Sequence, residues 1–518
     1  MRRLLSTLVI LSLLLLCGCA LPERKTAQRS AAASGELTVY LDIPDSLSRD
    51  ISFVIKGIAI RTKDGREVEV ITGELPLRST SERGRQVRLG EGAVPPGEYV
   101  GLVIRYGGSR LHDLPRERDI PPGDPVWIEQ RLDIYKNQNT TLFIRWLPDR
   151  STVDERFVPA FEVQQRPPTL SRALLFVTNS GSGNLTVIDT NTMKVVETIK
   201  LGGSPTGLTL GVGENALRLY VVNTTLDSLS VINTSTLTVE RTVPLRLGKA
   251  PLDVHAMVAG PDGELLFIAN LNSNSLSVME TTNLREIGRI SVGAGPSSIT
   301  SDPLITDMVS SVYIPPEDFD LIERYQQRYL NLYVANRYSN TVSLIRINRF
   351  TGEPRYVLEL DAGWEPVRLS PDPARARVYI SAHGSERIGE IPVAELIRTG
   401  GRDVVNWISL GTGTVDVAPD SSFERLYVLR DEPPEVVVLR PDRVDEGAAS
   451  DRLLPVMGRL PLPGTPADMV PDEEKNLLYV IDSSGDQVLV VDRITLNIMN
   501  RISVGRRPVR GILIPAVR

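Results

Sequence analysis

The chain has almost no cysteine: Cys17 and Cys19 are the only two among 518 residues. Both belong to an N-terminal targeting segment, so the remainder has no disulfide, no Cys-x-x-Cys redox pair, no haem-attachment motif and no thiol nucleophile. Histidine is nearly as scarce, with His112, His255 and His383 far apart in the sequence. That leaves no cluster suited to copper, zinc or haem, and neither a metal nor another cofactor is expected. Charge of one sign is lacking too. Lys and Arg number 58 against 64 Asp and Glu, a net charge of −6, and without a basic footprint nucleic acid is excluded as the main ligand. After the first 16 residues no apolar run reaches the roughly 20 residues a membrane-spanning helix needs. Without disulfides the protein must rest on its core, which a chain of this length can make large.

The N-terminus reads as a targeting segment. Arg2-Arg3 precedes an apolar stretch, Leu4 to Leu16, that is too short to span a bilayer. It runs into Leu16-Cys17-Gly18-Cys19, which resembles the bacterial lipobox. The resemblance implies cleavage before Cys19, lipidation of its thiol and acylation of its new amine. Each buried methylene contributes about 0.8 kcal/mol, so two or three acyl chains would hold where one would not. Residues 1–18 are then a signal peptide and 19–36 an anchor with a polar, flexible tether. The plainer alternative is an ordinary cleaved signal peptide. Ala20 is not the Asp that resembles an inner-membrane retention signal, so the expected location is the cell envelope, at the outer membrane.

From Leu37 the pattern has a period of two. Leu37, Val39, Leu41 and Ile43 alternate, and similar runs recur to Val163 with turn residues between them. About seven short strands over 37–165 predict a small β-sandwich. Its Pro95-Pro96-Gly97-Glu98-Tyr99 entry resembles the prealbumin-like sandwiches of bacterial surface lipoproteins, a likeness that carries no active-site residue.

The C-terminal two thirds repeats one phrase. A Gly/Pro turn at Gly202, Gly248, Gly293, Gly363, Gly411, Pro463 and Gly505 leads each time into a short strand, at spacings of roughly 42 to 52 residues with one gap of about 70. Second strands read Leu175-Phe-Val-Thr-Asn179, Leu219-Tyr-Val-Val-Asn223, Leu266-Phe-Ile-Ala-Asn270 and Leu332-Tyr-Val-Ala-Asn336, and third strands Leu185-Thr-Val-Ile-Asp189 and Leu229-Ser-Val-Ile-Asn233. These residues resemble the Tyr-Val-Thr-Asn family of seven-bladed propellers, kin of the lactonase-like propellers. The fold class expected is therefore all-β, a seven-bladed β-propeller over 170–518 preceded by the sandwich. The last strand, beginning at Val509, should close the ring by joining the first three.

Period-two alternation turns one residue of each first strand into the central channel: Gly207, Asp253, Ser298, Arg368, Asp416, Asp468 and Arg510, with His255 one step further along. Arg368 is expected to pair with Asp416, and Arg510 with Asp468, leaving Asp253 beside His255. The ring reads as a channel that satisfies its own charges, or as a pocket for a small polar ligand. A hydrolase or lactonase site at the channel mouth is the alternative. No catalytic residue of the lactonase-like family can be aligned here, so none is assigned. Long loops fall in one sector. The first holds an expected amphipathic helix over 317–330, with Phe319, Ile322, Tyr325 and Tyr329 on one side, to pack as a lid or dock an envelope protein. The reading is a lipid-anchored binding or assembly scaffold, partnered by the membrane and an envelope protein.

Overall fold

The computed structural model describes residues 34–515, apart from 113–116, 154–155, 165–172, 261–262, 306–312, 402, 421 and 442–450. The targeting segment, Cys19 and most of the expected hinge lie outside the described residues. The fold is nearly all β. The α-helices among the described residues are α1, Pro316–Gln326, and α2, Val393–Thr399.

The N-terminal unit is built from two large sheets and a two-stranded one, Thr152–Val153 with Arg156–Phe157. Phe161–Gln164, Asn139–Trp146, Gly35–Asp42 and Gln86–Val94 form one in that order, and Glu67–Arg78, Ile51–Thr62 and Gly97–Leu111 lead the other. Leu37, Val39 and Leu41 point into the core they share with Phe53, Trp146 and Phe157. Yet every residue of Gly35–Asp42 is buried, because the opposite face of this strand is covered as well. There Tyr40 and Phe143 join a second apolar cluster with Leu175, Val195 and Ile502 from the C-terminal unit. Polar contacts fix the seam. The Gln86 amide bonds both the N–H of Val195, at 2.7 Å, and its carbonyl, at 3.3 Å. Glu91 accepts from Ser182 at 2.6 Å and Asn184 at 2.9 Å. Lys194 and Lys200 pair with Asp42 and Glu36.

The C-terminal unit is a β-propeller made of successive four-stranded sheets, the one containing Pro366–Asp372 having a fifth strand, Asp451–Arg452. Their innermost strands are Pro205–Leu210, Pro251–Met257, Pro296–Ser301, Pro366–Asp372, Thr414–Asp420, Pro466–Asp472 and Pro508–Ile514. Each packs on the next in chain order, and Pro508–Ile514 packs back on Pro205–Leu210. Pro508–Ile514 also pairs antiparallel with Leu174–Asn179. The C-terminal strand thus completes the sheet begun by the first three strands, and no inner edge is left open.

The repeated residues have repeated duties. Phe176, Tyr220, Phe267, Tyr333, Tyr379, Tyr427 and Tyr479 occupy one position of each second strand, none more than 1% exposed. Such rings are the large apolar wedges between adjacent sheets. Their hydroxyls need acceptors when buried. Tyr333 donates to Asp302 at 2.6 Å, Tyr220 to Glu264 at 3.3 Å and Tyr427 to the Arg493 carbonyl at 3.3 Å. The terminal Asn of the second strand ties the hairpin. Asn179, Asn270 and Asn336 donate to Thr186, Ser277 and Ser343 at 2.8, 2.9 and 2.8 Å. Asn223 departs from this and braces the preceding turn, donating to the Gly202 carbonyl at 2.6 Å.

One ion pair is sealed in the propeller wall. Arg493 and Asp420 are both 0% exposed and in direct contact, and the guanidinium lies over the rings of Phe423, at 5.3 Å, and Tyr427, at 5.9 Å.

The helix expected over 317–330 is shorter than its apolar stripe implies. It ends at Gln326, and Tyr329 instead opens the strand Tyr329–Asn336. That strand begins early because Tyr329 and Leu330 already pair with Asn348 and Ile347. Ladder pairing here overrides helical periodicity.

Candidate functional site

The expected ring residues do converge, and the structure shows what occupies them. Inner strands are too far apart for backbone pairing to one another, so side chains span the gaps. Asp253 Oδ2 accepts the N–H of Ile299 at 3.0 Å, Ser298 Oγ that of Leu369 at 3.2 Å, Asp416 Oδ2 that of Met469 at 3.4 Å, and Asp468 Oδ2 that of Gly511 at 2.8 Å. Each contact ties one inner strand to the next. Asp253 and Asp416 also cap the N–H of their own neighbours, Val254 at 3.0 Å and Val417 at 2.8 Å. The carboxylates serve the ring before any ligand.

The arginine pairing keeps the expected Arg368–Asp416 contact and departs from nearest neighbours beyond it. Arg368 takes two partners, with Nε 3.4 Å from Asp416 Oδ1 and Nη2 2.5 Å from Asp468 Oδ1. Arg510 does not pair with Asp468. Its Nη2 approaches Asp253 Oδ2, at 3.9 Å. The cause is Gly207, which lies between Arg510 and Asp253 in the ring and has no side chain to block the reach. A Cβ there would come within 2.5 Å of Asp253 Cα. Arg510 thus reaches past Gly207 to Asp253, while Arg368 contacts both its neighbour Asp416 and Asp468 beyond it.

A cavity of about 350 Å³ opens over this ring, lined by Thr209, Asp253, His255, Arg368, Asp416 and Arg510 among others. Asp468 is 1% exposed and sits beneath the lining. Burial raises the pKa of Asp253 and of Asp468, Arg368 opposing in both cases and Asp416 adding to the rise in Asp468. Burial also pushes the His255 imidazole down to about 4, against the pull of Asp253. It is neutral at pH 7. Its Nε2 lies 3.0 Å from Ser301 Oγ, a contact that sequence reasoning missed. The available signal was Ser301 as the sixth residue of its inner strand, one place beyond that of His255 in its own.

Below about pH 6.5 an unfolded chain would protonate His255 while the folded chain would not until about pH 4. The folded pKa is the lower one, so stability is lost as pH falls between those values. His255→Gln is expected to remove on the order of 1–3 kcal/mol of that loss. Urea melts of both proteins at pH 5 and pH 7.5 would measure it; equal pH dependence in the two would refute the assignment.

The other histidines are elsewhere. His112 lies in the N-terminal unit against Ser52, at 2.8 Å, and Glu117, at 2.9 Å. His383 sits at the opposite end of the channel, between Asp431, at 3.0 Å, and Glu365, at 3.6 Å. The lid residues turn inward. Ile322 is fully buried and packs with Phe319 against Val393 and Ala394. The Tyr325 hydroxyl donates to Asn331 Oδ1 at 2.7 Å and accepts from Arg346 Nε at 2.8 Å, and Tyr329 lies beside it, ring centroids 5.8 Å apart. The insertion bearing α1 and the loop bearing α2 do share a sector, joined by Asp318 and Arg398.

No family model matches the chain, and no curated protein sequence matches it. Solved structures do. A functionally unknown protein from Desulfotomaculum acetoxidans superposes with a TM-score of 0.51 at 12% identity, covering 66% of this chain and 99% of that one. A proposed 6-phosphogluconolactonase from Bacteroides uniformis gives a TM-score of 0.50 at 14% identity, with 66% and 99% covered. At such identities the likeness extends to the fold alone, that of a β-propeller.

Proposed function

We propose that this chain is a lipid-anchored protein of the cell envelope, a seven-bladed propeller preceded by a β-sandwich, which acts as a binding or assembly scaffold without chemistry of its own. The observation that carries the absence of chemistry is the use made of the channel ring. Its carboxylates are committed to neighbouring backbone N–H groups and its arginines to those carboxylates. A site built for turnover keeps a base or nucleophile free and poised. The loop-rich sector around α1 and α2 supplies a rigid surface for an envelope partner, a common use of long loops on a fixed framework. Crosslinking in intact cells followed by mass spectrometry tests location and partner together. The expected product is a crosslink from the sector to one envelope protein, and recovery of uncrosslinked chain alone would count against the scaffold role.

Anchoring is tested separately. With an alkynyl fatty acid in the growth medium, the native chain should become labelled and Cys19→Ala should lose all label. Labelling that survives in Cys19→Ala would sink the lipobox reading.

One contact favours a second reading, an envelope hydrolase or lactonase. Ser301 is at hydrogen-bond distance from His255, which lines the cavity, the arrangement a nucleophile and its base require. Against it, both Asp253 oxygens accept backbone N–H groups, so that carboxylate does not orient the imidazole. A lactone and ester screen decides between the readings. Turnover abolished by both Ser301→Ala and His255→Ala would replace the scaffold with an enzyme.

A further inference from the structure

A second cavity, of about 340 Å³, lies between α1, α2 and the strands beneath them, apart from the channel. Three arginines reach its wall and each is already paired. Arg375 Nη1 is 3.1 Å from Asp372, Arg377 Nη1 is 2.9 Å from Glu390 Oε2, and Arg398 contacts Asp318. The charged groups that remain in the lining are acceptors. Glu390 is 2% exposed, and its second oxygen, Oε1, has no hydrogen-bond partner among the described residues. At the rim stand Glu395 and Asp403, both exposed, and Asp403 has no ion pair among the described residues. Asn406 is the other polar residue of the wall, and the rest is apolar, with Ile314, Ile322 and Val404.

A buried carboxylate oxygen without a donor is unfavourable, and native proteins normally satisfy such a group. Anions are disfavoured here because the three arginines of the described lining are each paired, Arg398 also lying 3.8 Å from Glu395, while Asp403 and one oxygen of Glu390 are left over. A ligand must therefore bring N–H donors and positive charge, and a short apolar segment to lie along the isoleucines. The volume is that of a small-molecule site. We propose that this cavity binds a small organic cation, an ammonium or guanidinium group on a short aliphatic stem, with its head on Glu390 and its stem along Ile314, Ile322 and Val404. Glu395 and Asp403 draw the cation to the mouth, as carboxylates do for a charged ligand. This site goes beyond the scaffold role and is independent of it, since neither lactone turnover nor a protein crosslink reports on it.

Titration calorimetry on the purified full chain in detergent tests the proposal with agmatine and putrescine as probes and succinate as the anionic control. One agmatine or putrescine should bind per chain, succinate should not, and affinity should fall with added salt. Glu390→Gln is expected to weaken binding by about tenfold or more, through loss of the charged acceptor. Asp403→Asn, at an exposed position, should weaken it several-fold with the fold intact. Ala394→Leu, which narrows the cavity, provides a further arm should Glu390→Gln not fold. No binding of either cation to the folded chain, or unchanged affinity in Asp403→Asn and Ala394→Leu, would overturn the proposal.

Discussion

A chain ending at Val504 is expected to give no cooperatively melting propeller. The truncation removes Pro508–Ile514, whose register against Leu174–Asn179 runs from Pro508 to Ile514. It also removes the Gly511 N–H that Asp468 accepts and the Arg510 side chain that reaches Asp253. Three losses coincide at one seam: the ladder of the completed sheet, the inter-strand tie, and burial of Ile512 and Ile514 beside Phe176 and Leu185. Together they rival the roughly 5–15 kcal/mol that separates most folded domains from their unfolded chains. The inner edge of Leu174–Asn179 would then be exposed, an invitation to pair with other chains. Calorimetry and light scattering on the purified truncation would show a lost or broadened transition with aggregation. A single transition at the parent temperature would mean that the last strand does not hold the ring.

The largest single-residue effect is expected at Asp420. Asp420→Ala leaves the Arg493 guanidinium 0% exposed with no counter-charge. Removing one partner of a buried pair typically costs about 3–5 kcal/mol, because the other charge remains out of water. The arginine is also held by packing, its guanidinium lying over Phe423 and Tyr427. Arg493→Met in the same background should restore much of the loss, an apolar side chain of similar length suiting the aromatic slot. Urea unfolding of the single and double variants measures both. A double variant no more stable than Asp420→Ala would show that the arginine contributes through packing and not through its charge.

Much of the propeller was legible because its repeat is a repeat of physical duty. An aromatic at one position of each second strand, and an Asn or turn residue at its end, mark the wedge and the tie. The strand order of each sheet follows from those marks. The ring residues and the Arg368–Asp416 pair were legible from alternation, whereas the partner of Arg510 was not. Nearest-neighbour reasoning paired Arg510 with Asp468, and Gly207 redirects it. No rule of alternation says that a glycine opens a path past one position of a circle. The Ser301–His255 contact was missed for a related reason, since their adjacency depends on how far successive inner strands are rotated. The stripe through Phe319, Ile322, Tyr325 and Tyr329 marked a real apolar surface, but periodicity cannot tell a helix that continues from a strand that takes over, and Tyr329 went to the strand. The N-terminal unit concealed its docking face because Glu36, Thr38, Tyr40 and Asp42 look like solvent-facing residues. Only the matching polar set on Lys194–Lys200 shows why they are buried.

The seam between the two units has a mechanical consequence. Tension applied to the chain ahead of Gly35 enters the strand Gly35–Asp42, which is held from both faces. From there it passes into Lys194–Lys200, the outermost strand of the closing sheet, while Pro508–Ile514 lies at the far edge of that sheet. A pull from that end would be shared across a broad contact before reaching the clasp, and the clasp would be the last part of the sheet to carry load.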